Sequence, residues 1–219
     1  MPLPLHILHA TDRFAVIVKP SGLLSVPGKT IADCVAARVQ AHFPNATGPL
    51  TVHRLDMETS GLIVFGLDPA AQRDLSMQFE RRSVEKKYTA VLAGLLDHDD
   101  GEITLPIRAD LSRRPLQIVD FVQGYPSTTR YRVLSRDAKA RTTRIEFTPI
   151  TGRSHQLRLH SAAPREIDGK PGGLGMPILG DPLYGAASSS PRLLLHASFL
   201  AFDEPGTSTR AEFVSDAPF

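Results

Sequence analysis

The apolar runs in this chain are short, and most are interrupted by threonine, arginine or glycine at alternate positions. That pattern constrains the fold more than any other feature, because a parallel sheet buried on both faces needs long unbroken apolar strands alternating with regular helices. Phe14-Ala15-Val16-Ile17-Val18 is a β-rich run that ends at the turn cluster Lys19-Pro20-Ser21-Gly22. Leu62 to Leu67 is nearly continuous, and Tyr88 to Leu92 alternates. Thr128 to Leu134 and Arg141 to Ile150 flank Ser135-Arg136-Asp137-Ala138-Lys139 as the arms of a hairpin with one wet face, and Leu193 to Phe202 is a further strand. The expected class is α+β, with a mixed, mostly antiparallel sheet.

Helices are expected in three places. Thr30 or Asp33 caps one that runs to about Phe43, with Ile31, Val35, Val39 and Phe43 on its core face and Pro44-Asn45 ending it. Pro69 suits the first turn of a second, which runs to about Arg82 on a buried stripe of Ala71, Leu75 and Phe79. Ser154 caps a third, which Pro164 stops after Ala163. The Gly/Pro-rich stretch Pro164 to Pro177 has no periodicity and reads as a long mobile loop, with a second flexible break at Ser188-Ser189-Ser190-Pro191.

At 219 residues there is room for one large domain or two tight lobes with a substantial core. Met1-Pro2-Leu3-Pro4-Leu5-His6 has neither a basic n-region nor a long apolar h-region, and no stretch reaches the ~18 apolar residues of a membrane span. A soluble cytoplasmic protein is expected. Cys34 is the only cysteine, which excludes an internal disulfide framework and a multi-cysteine zinc site. It falls within the expected first helix and reads as a small core residue. The net charge of +2 does not announce a nucleic-acid binder. Yet 19 of the 25 basic residues are arginine, whose guanidinium suits phosphate and base contacts. A GC-rich genome gives the same ratio, so placement has to decide.

The densest polar cluster is Thr51-Val52-His53-Arg54-Leu55-Asp56-Met57-Glu58-Thr59-Ser60-Gly61, a loop feeding an apolar strand, where catalytic groups tend to lie. Asp56 with Glu58 could be a glycosidase pair, but that chemistry needs carboxyls ~5 to 9.5 Å apart across a sugar. Asp56 alone could be a turn or cap residue. His53 could be a general base, a ligand or simply packed, and no second histidine stands near it in a metal-binding spacing. His155 and His160 are five apart, which spoils a helical chelate, so no metal is expected. The second cluster, Thr151-Gly152-Arg153-Ser154-His155-Gln156-Leu157-Arg158-Leu159-His160, runs from a glycine turn into a helix and could hold a phosphate or a carboxylate. Arg158 is an ordinary surface arginine or one that reaches a buried acid such as Asp56.

Taken together, these segments resemble the RluA family of pseudouridine synthases. His53-Arg54-Leu55-Asp56 followed by Thr59-Ser60-Gly61-Leu62 matches the family's HRLD-x-x-TSG signature. Lys19-Pro20-Ser21-Gly22-Leu23 is similar to its first motif, Lys86-Lys87-Tyr88-Thr89-Ala90 to its K-x-Y-x-A segment, and Gly152-Arg153-Ser154-His155-Gln156-Leu157-Arg158 to its GRTHQ(I/L)R segment. Leu179-Gly180-Asp181-Pro182-Leu183-Tyr184-Gly185 and Arg192-Leu193-Leu194-Leu195-His196-Ala197 complete the order. Leu23-Leu24-Ser25-Val26-Pro27-Gly28 is similar to the short members that act on both large-subunit rRNA and the tRNA anticodon stem-loop. Ser161 to Met176 is longer than the family's usual connection.

The resemblance implies a bifurcated sheet flanked by helices and loops, with an active-site cleft across it. It implies a single catalytic domain over 1–219 with no separate N-terminal RNA-binding domain. The implied activity is isomerisation of uridine to pseudouridine in a structured RNA stem-loop, with no cofactor, metal, DNA or membrane, by a monomer. It makes Asp56 the nucleophile or base, Tyr88 the residue stacked over the uracil, and Arg158 the partner of the aspartate. Arg54, His53, Arg153 and Leu157 fall at substrate-binding positions, Arg54 being the one that enters the RNA as the base leaves its stack. An RNA-binding or folding factor with incidental catalysis is the alternative.

Overall fold

Where the chain is most continuously apolar it forms a strand buried along its whole length, Ser60–Gly66. The computed structural model describes residues 5–185 and 190–219. The chain divides into two units, the first running up to Lys86 and resuming from His196 to Pro218, the second comprising Lys87–Leu195 with Phe219.

In the first unit, β1 (Ile7–Ala10), β2 (Phe14–Lys19), α1 (Val35–His42), β3 (Ser60–Gly66) and α2 (Pro69–Glu80) are joined late in the chain by β11 (Leu195–Asp203) and β12 (Arg210–Val214). The strand order is β1-β2-β3-β11, with β12 on β11. β3 and β11 run parallel through His196 opposite Ser60, while the β1–β2, β2–β3 and β11–β12 pairs are antiparallel. Phe14, Val16, Leu62, Val64, Leu75, Leu200 and Phe202 make the core, with Phe79 packed at its edge. α2 begins as its sequence requires: Asp68 Oδ1 accepts the amides of Ala70 and Ala71, both at 2.8 Å, and Pro69 follows.

The second unit holds β4 (Glu85–Ala93), which starts just before the boundary, then β5 (Asp100–Ala109), β6 (Gln117–Val119), β7 (Tyr125–Asp137), β8 (Thr142–Pro149) and α3 (Gln156–Ala162). Its order is β4-β8-β7-β5-β6, and each of these pairs is antiparallel. The expected hairpin is β7–β8. Leu92, Leu105, Ile107, Ile145, Phe147 and Ile178 lie at its core. The mixed, mostly antiparallel sheet expected from the sequence is the one observed.

Four local expectations change. Neither Thr30 nor Asp33 caps α1; Cys34 does, its Sγ accepting the Ala37 amide at 3.3 Å. The amides of Val35 and Ala36 bond to the carbonyls of Leu24 and Ser25, so a distant loop satisfies the helix start, and Ile31 lies outside the helix, 49% exposed. Nor does Ser154 cap α3, whose first flanking residue is His155 with φ 54° and no side-chain cap. There the Gln156 side chain turns back to accept from Arg153 N and Thr151 Oγ1, at 3.0 and 2.8 Å. The supposed mobile loop is tied down by backbone bonds, including Gly172 N to Arg165 O and Gly173 N to Pro164 O, both 2.8 Å, around the two-residue strands β9 (Glu166–Ile167) and β10 (Lys170–Pro171). Its glycines permit close approach, since a Cβ on Gly172 would lie 1.9 Å from Pro164 O. Finally β1, β5, β6 and β12 were not expected; Gly101 and Pro106 break the pattern of β5. Of the flexible break at Ser188-Ser189-Ser190-Pro191, Ser188 and Ser189 lie outside the described residues.

The glycine before Leu62 is required by packing. Gly61 has φ 112°, and a Cβ there would sit 2.3 Å from the Ala197 carbonyl oxygen in the parallel pairing of β3 with β11. Backbone on the far side cannot give way as a side-chain end would. Gly61→Ala is expected to lower the unfolding free energy by about 2 to 3 kcal/mol, read as a shift of the urea midpoint.

Candidate active site

The loop between Leu50 and β3 carries His53, Arg54 and Asp56, and its geometry follows from what holds its ends. At the near end Gly66 N donates to Leu50 O at 3.0 Å, and Gln72 Nε2 of α2 donates to Thr51 O at 3.0 Å. His53 then turns into the unit. Its Nε2 accepts the Val64 amide at 3.1 Å, and its ring stacks on Phe79 with centroids 4.3 Å apart. Burial, then the nearby Lys86 ammonium, pushes its pKa down to about 3. The ring is therefore neutral at physiological pH, with its proton assigned to Nδ1 and its one lone pair used by backbone. That arrangement removes it as a general base and makes it a peg for the loop.

Past His53, each residue flanking Asp56 is gripped by the segment after β2. Ser25 Oγ donates to Leu55 O at 2.7 Å and accepts from Leu55 N at 3.0 Å. The ammonium of Lys19, a fully buried residue, donates to Pro20 O, Leu23 O and Met57 O at 2.9, 2.7 and 2.8 Å. Gly22 N reaches the same Met57 carbonyl at 2.9 Å, and Ser21 Oγ donates to Glu58 O at 2.7 Å. A charged donor shared among carbonyls makes stronger bonds than a neutral one and cannot leave without exposing all of them. Beyond Thr59, Ser60 Oγ meets His196 Nδ1 at 2.9 Å, and His196 Nε2 meets Ser215 Oγ at 3.1 Å. Asp56 is thus a half-buried carboxylate on a loop fixed at both flanks, and Arg54 beside it is exposed. A carboxylate so placed can attack an electrophilic carbon or take a proton without first ordering its own backbone.

In the second unit, Tyr88 lies on β4 opposite Phe147, half-buried. Arg153, Leu157 and Arg158 share one segment but not one environment. The Arg153 guanidinium lies over the exposed Tyr125 ring, 5.4 Å from its centre. Leu157 belongs to the hydrophobic core. Arg158 is 2% exposed and pairs with Asp181, Nε to Oδ2 at 2.8 Å and Nη2 to Oδ1 at 2.6 Å. Lys19 and Asp181 are functional supports that the sequence does not mark out by pattern. Each is a charged residue in an otherwise turn-forming stretch, but the partner that gives it its place, Met57 O for Lys19 and Arg158 for Asp181, is 38 and 23 residues away. Among the described residues, no group of three or more His, Cys, Asp or Glu side chains is placed to hold a metal ion, and no helix is long and apolar enough to cross a membrane.

Residues 13–163, which carry the Lys19 anchor, the Asp56 loop, Tyr88 and Arg158, match the family model described as RNA pseudouridylate synthase. The chain belongs to the RNA pseudouridylate synthase family. This synthase is 46% identical over 220 residues to the dual-specificity RNA pseudouridine synthase RluA of Pasteurella multocida (strain Pm70), covering 98% of this chain and 94% of that one. It is 42% identical over 218 residues to the protein of the same name from Escherichia coli (strain K12), covering 97% and 93%. Among solved structures, human RNA pseudouridylate synthase domain containing 1 superposes with a TM-score of 0.78 at 28% identity, over 98% of this chain and 84% of that one. The fold is therefore the pseudouridine synthase fold. Asp181 and Tyr184 of this synthase lie beyond the matched segment.

The depressed histidines set a pH dependence. An unfolded His53 protonates near 6.5 whereas the folded one does so only near 3. Through that window the unfolded chain binds the extra proton, so stability is full above it and is lost as pH falls, at no more than about 1.4 kcal/mol per pH unit. Buried His160, pushed down to about 4 by desolvation, adds a term of the same sign. His53→Gln keeps an acceptor for Val64 N without the titration. Urea unfolding between about pH 7 and 4.5 should give a shallower loss of stability for this variant than for the wild type; an unchanged slope would remove His53 from the account.

Proposed function

We propose that this chain isomerises uridines in rRNA and tRNA stem-loops to pseudouridine, with Asp56 as the reacting carboxylate. The observation that carries the reading is the anchoring of both Asp56 flanks by Lys19, Ser21 and Ser25, which fixes the backbone of a half-buried carboxylate. The relatives' name, dual-specificity RNA pseudouridine synthase, supports action on more than one RNA substrate.

In the reaction the N1–C1′ bond breaks, the base turns, C5 bonds to C1′, and the C5 proton is lost while N1 gains one. Two roles are open to one carboxylate: attack on C1′, or removal of the C2′ proton to give a glycal. Tyr88 stacks on the uracil and serves in removing the C5 proton, helped by a water or neighbour because a phenol near pKa ~10 is a weak base at neutral pH. Arg158 orients the carboxylate, and Arg153 contacts the RNA backbone. Arg54 enters the stack that the uridine leaves, where a planar guanidinium offsets part of an unstacking cost of a few kcal/mol. His53 and Leu157 act on substrate through the segments they anchor. The two units work as one catalytic domain, as a cytoplasmic monomer whose partner is RNA rather than DNA or a membrane, with no cofactor.

Asp56→Asn is expected to abolish pseudouridine formation, a loss of at least about 10³-fold, while binding of a stem-loop RNA stays measurable by filter retention. Carbodiimide-stop mapping of total RNA from cells with and without the gene identifies the sites. Turnover retained in the Asn variant, or no site lost on deletion, overturns the reading.

A further inference from the structure

Arg158 and Asp181 form an ion pair with side chains 2% and 0% exposed. Such a pair is a poor source of stability, because desolvating both charges consumes most of their attraction, and apolar residues of similar volume commonly replace it without loss. What the pair does supply is direction. Asp181 takes the Nε and Nη2 edge of the guanidinium at 2.8 and 2.6 Å, which fixes the plane and rotation of the group. The carboxylate is itself immobilised, since Oδ1 also accepts the amides of Leu183 and Tyr184 at 2.8 and 3.1 Å.

The same turn supplies a second restraint. The guanidinium lies over the Tyr184 ring, 5.4 Å from its centre. That ring is held by its hydroxyl, which accepts the Gln117 amide of β6 at 2.8 Å and shares a hydrogen bond with His155 Nδ1 at 2.9 Å. The carboxylate at one edge and the aromatic face below leave the guanidinium one orientation. They also make Arg158 part of a neutral pair, so its contribution to a reacting carboxylate is placement of N–H donors rather than net charge.

We propose that Asp181, together with the Tyr184 ring, is a positioning residue for pseudouridine formation that acts through Arg158. This rests on the reading above in which Arg158 serves the reaction. The turn 181–184 therefore belongs to the catalytic machinery although it contributes no reacting group.

The test is steady-state kinetics of the full chain on a stem-loop RNA. Asp181→Asn removes one acceptor from the guanidinium, and kcat is expected to fall about 100-fold with KM within about threefold. Tyr184→Leu, which keeps apolar volume at a half-buried site but removes the ring and its hydroxyl, should lower kcat about tenfold with the same split. Arg158→Met and the double variant Arg158→Met/Asp181→Leu should have equal kcat within about twofold, because with the guanidinium gone Asp181 has nothing to position. The double variant replaces the buried pair by apolar volume and is expected to fold, and Tyr184→Leu carries the test if Asp181→Asn does not. Wild-type kcat in either Asp181→Asn or Tyr184→Leu, a loss confined to KM, or a further full loss in the double variant overturns the proposal. Failure of the underlying reading is distinct: Arg158→Met itself would then turn over normally, or the wild type would make no pseudouridine.

Discussion

The ammonium of Lys19 sits among the carbonyls of Pro20, Leu23 and Met57, and much of the first unit depends on its staying there. A buried cation is tolerated only while strong acceptors surround it, so the three carbonyls and the charge hold one another in place. Two of the acceptors belong to the turn after β2 and the third to the Asp56 loop. The same turn region gives Ser25 to Leu55 and the Leu24 carbonyl to the first amide of α1. One charge thus fixes a turn, a helix start and the backbone beside Asp56. The loop can remain loop, with Asp56 half-buried rather than packed away, because its order comes from outside itself.

The histidine signature shows the same logic at the other end of the loop. His53 is followed immediately by an exposed arginine, yet is itself a neutral, stacked peg on the Val64 amide. Its neighbours on both sides therefore keep a fixed direction, and the side chains the loop leaves accessible include the exposed Arg54 and the half-buried Asp56. A residue type associated with proton transfer is used here for shape, and only its hydrogen-bond partner reveals this.

Wherever local physics decides, the fold was legible in the sequence. β2 and β3 follow from apolar runs, α2 from a proline at its start with Ala71 and Leu75 inward, and the β7–β8 hairpin from two alternating arms. What escaped is long-range. α1 takes its first carbonyls from residues 24 and 25 rather than from a capping threonine, α3 starts with a glutamine side chain turned back to residue 151, and the stretch from Pro164 to Pro177 is ordered by glycines that let backbone approach backbone. β5 is masked by a glycine and a proline that its pairing with β7 accommodates. Motif order alone pointed to Asp56 and Arg158; Lys19, which holds the backbone beside the one, and Asp181, which pairs with the other, lie 37 and 23 residues away along the chain and carry no periodic signal.

Charge balance acquires a physical meaning from these pairs. Among the described residues ten arginines stand in ion pairs, Arg108 with Asp120 at 2.6 Å and Arg113 with Asp110 at 2.8 Å among them. Both aspartates are held well ionised, at about 2, Asp110 by bonds from Ser112 and Arg113 and Asp120 by the Gln123 amide and Arg108. Paired arginines cancel in the total and add little to the distant field. Arg54, Arg73, Arg81 and Arg82, by contrast, are exposed and enter no ion pair among the described residues, and all four belong to the unit that holds Asp56. A net charge of +2 is then what remains after structural pairs are subtracted, not a measure of affinity for RNA. Each such cation set on a phosphate would release about 0.7 to 0.9 of a counterion and steepen the salt dependence by that much, so the number of unpaired cations, not the net charge, bounds that dependence.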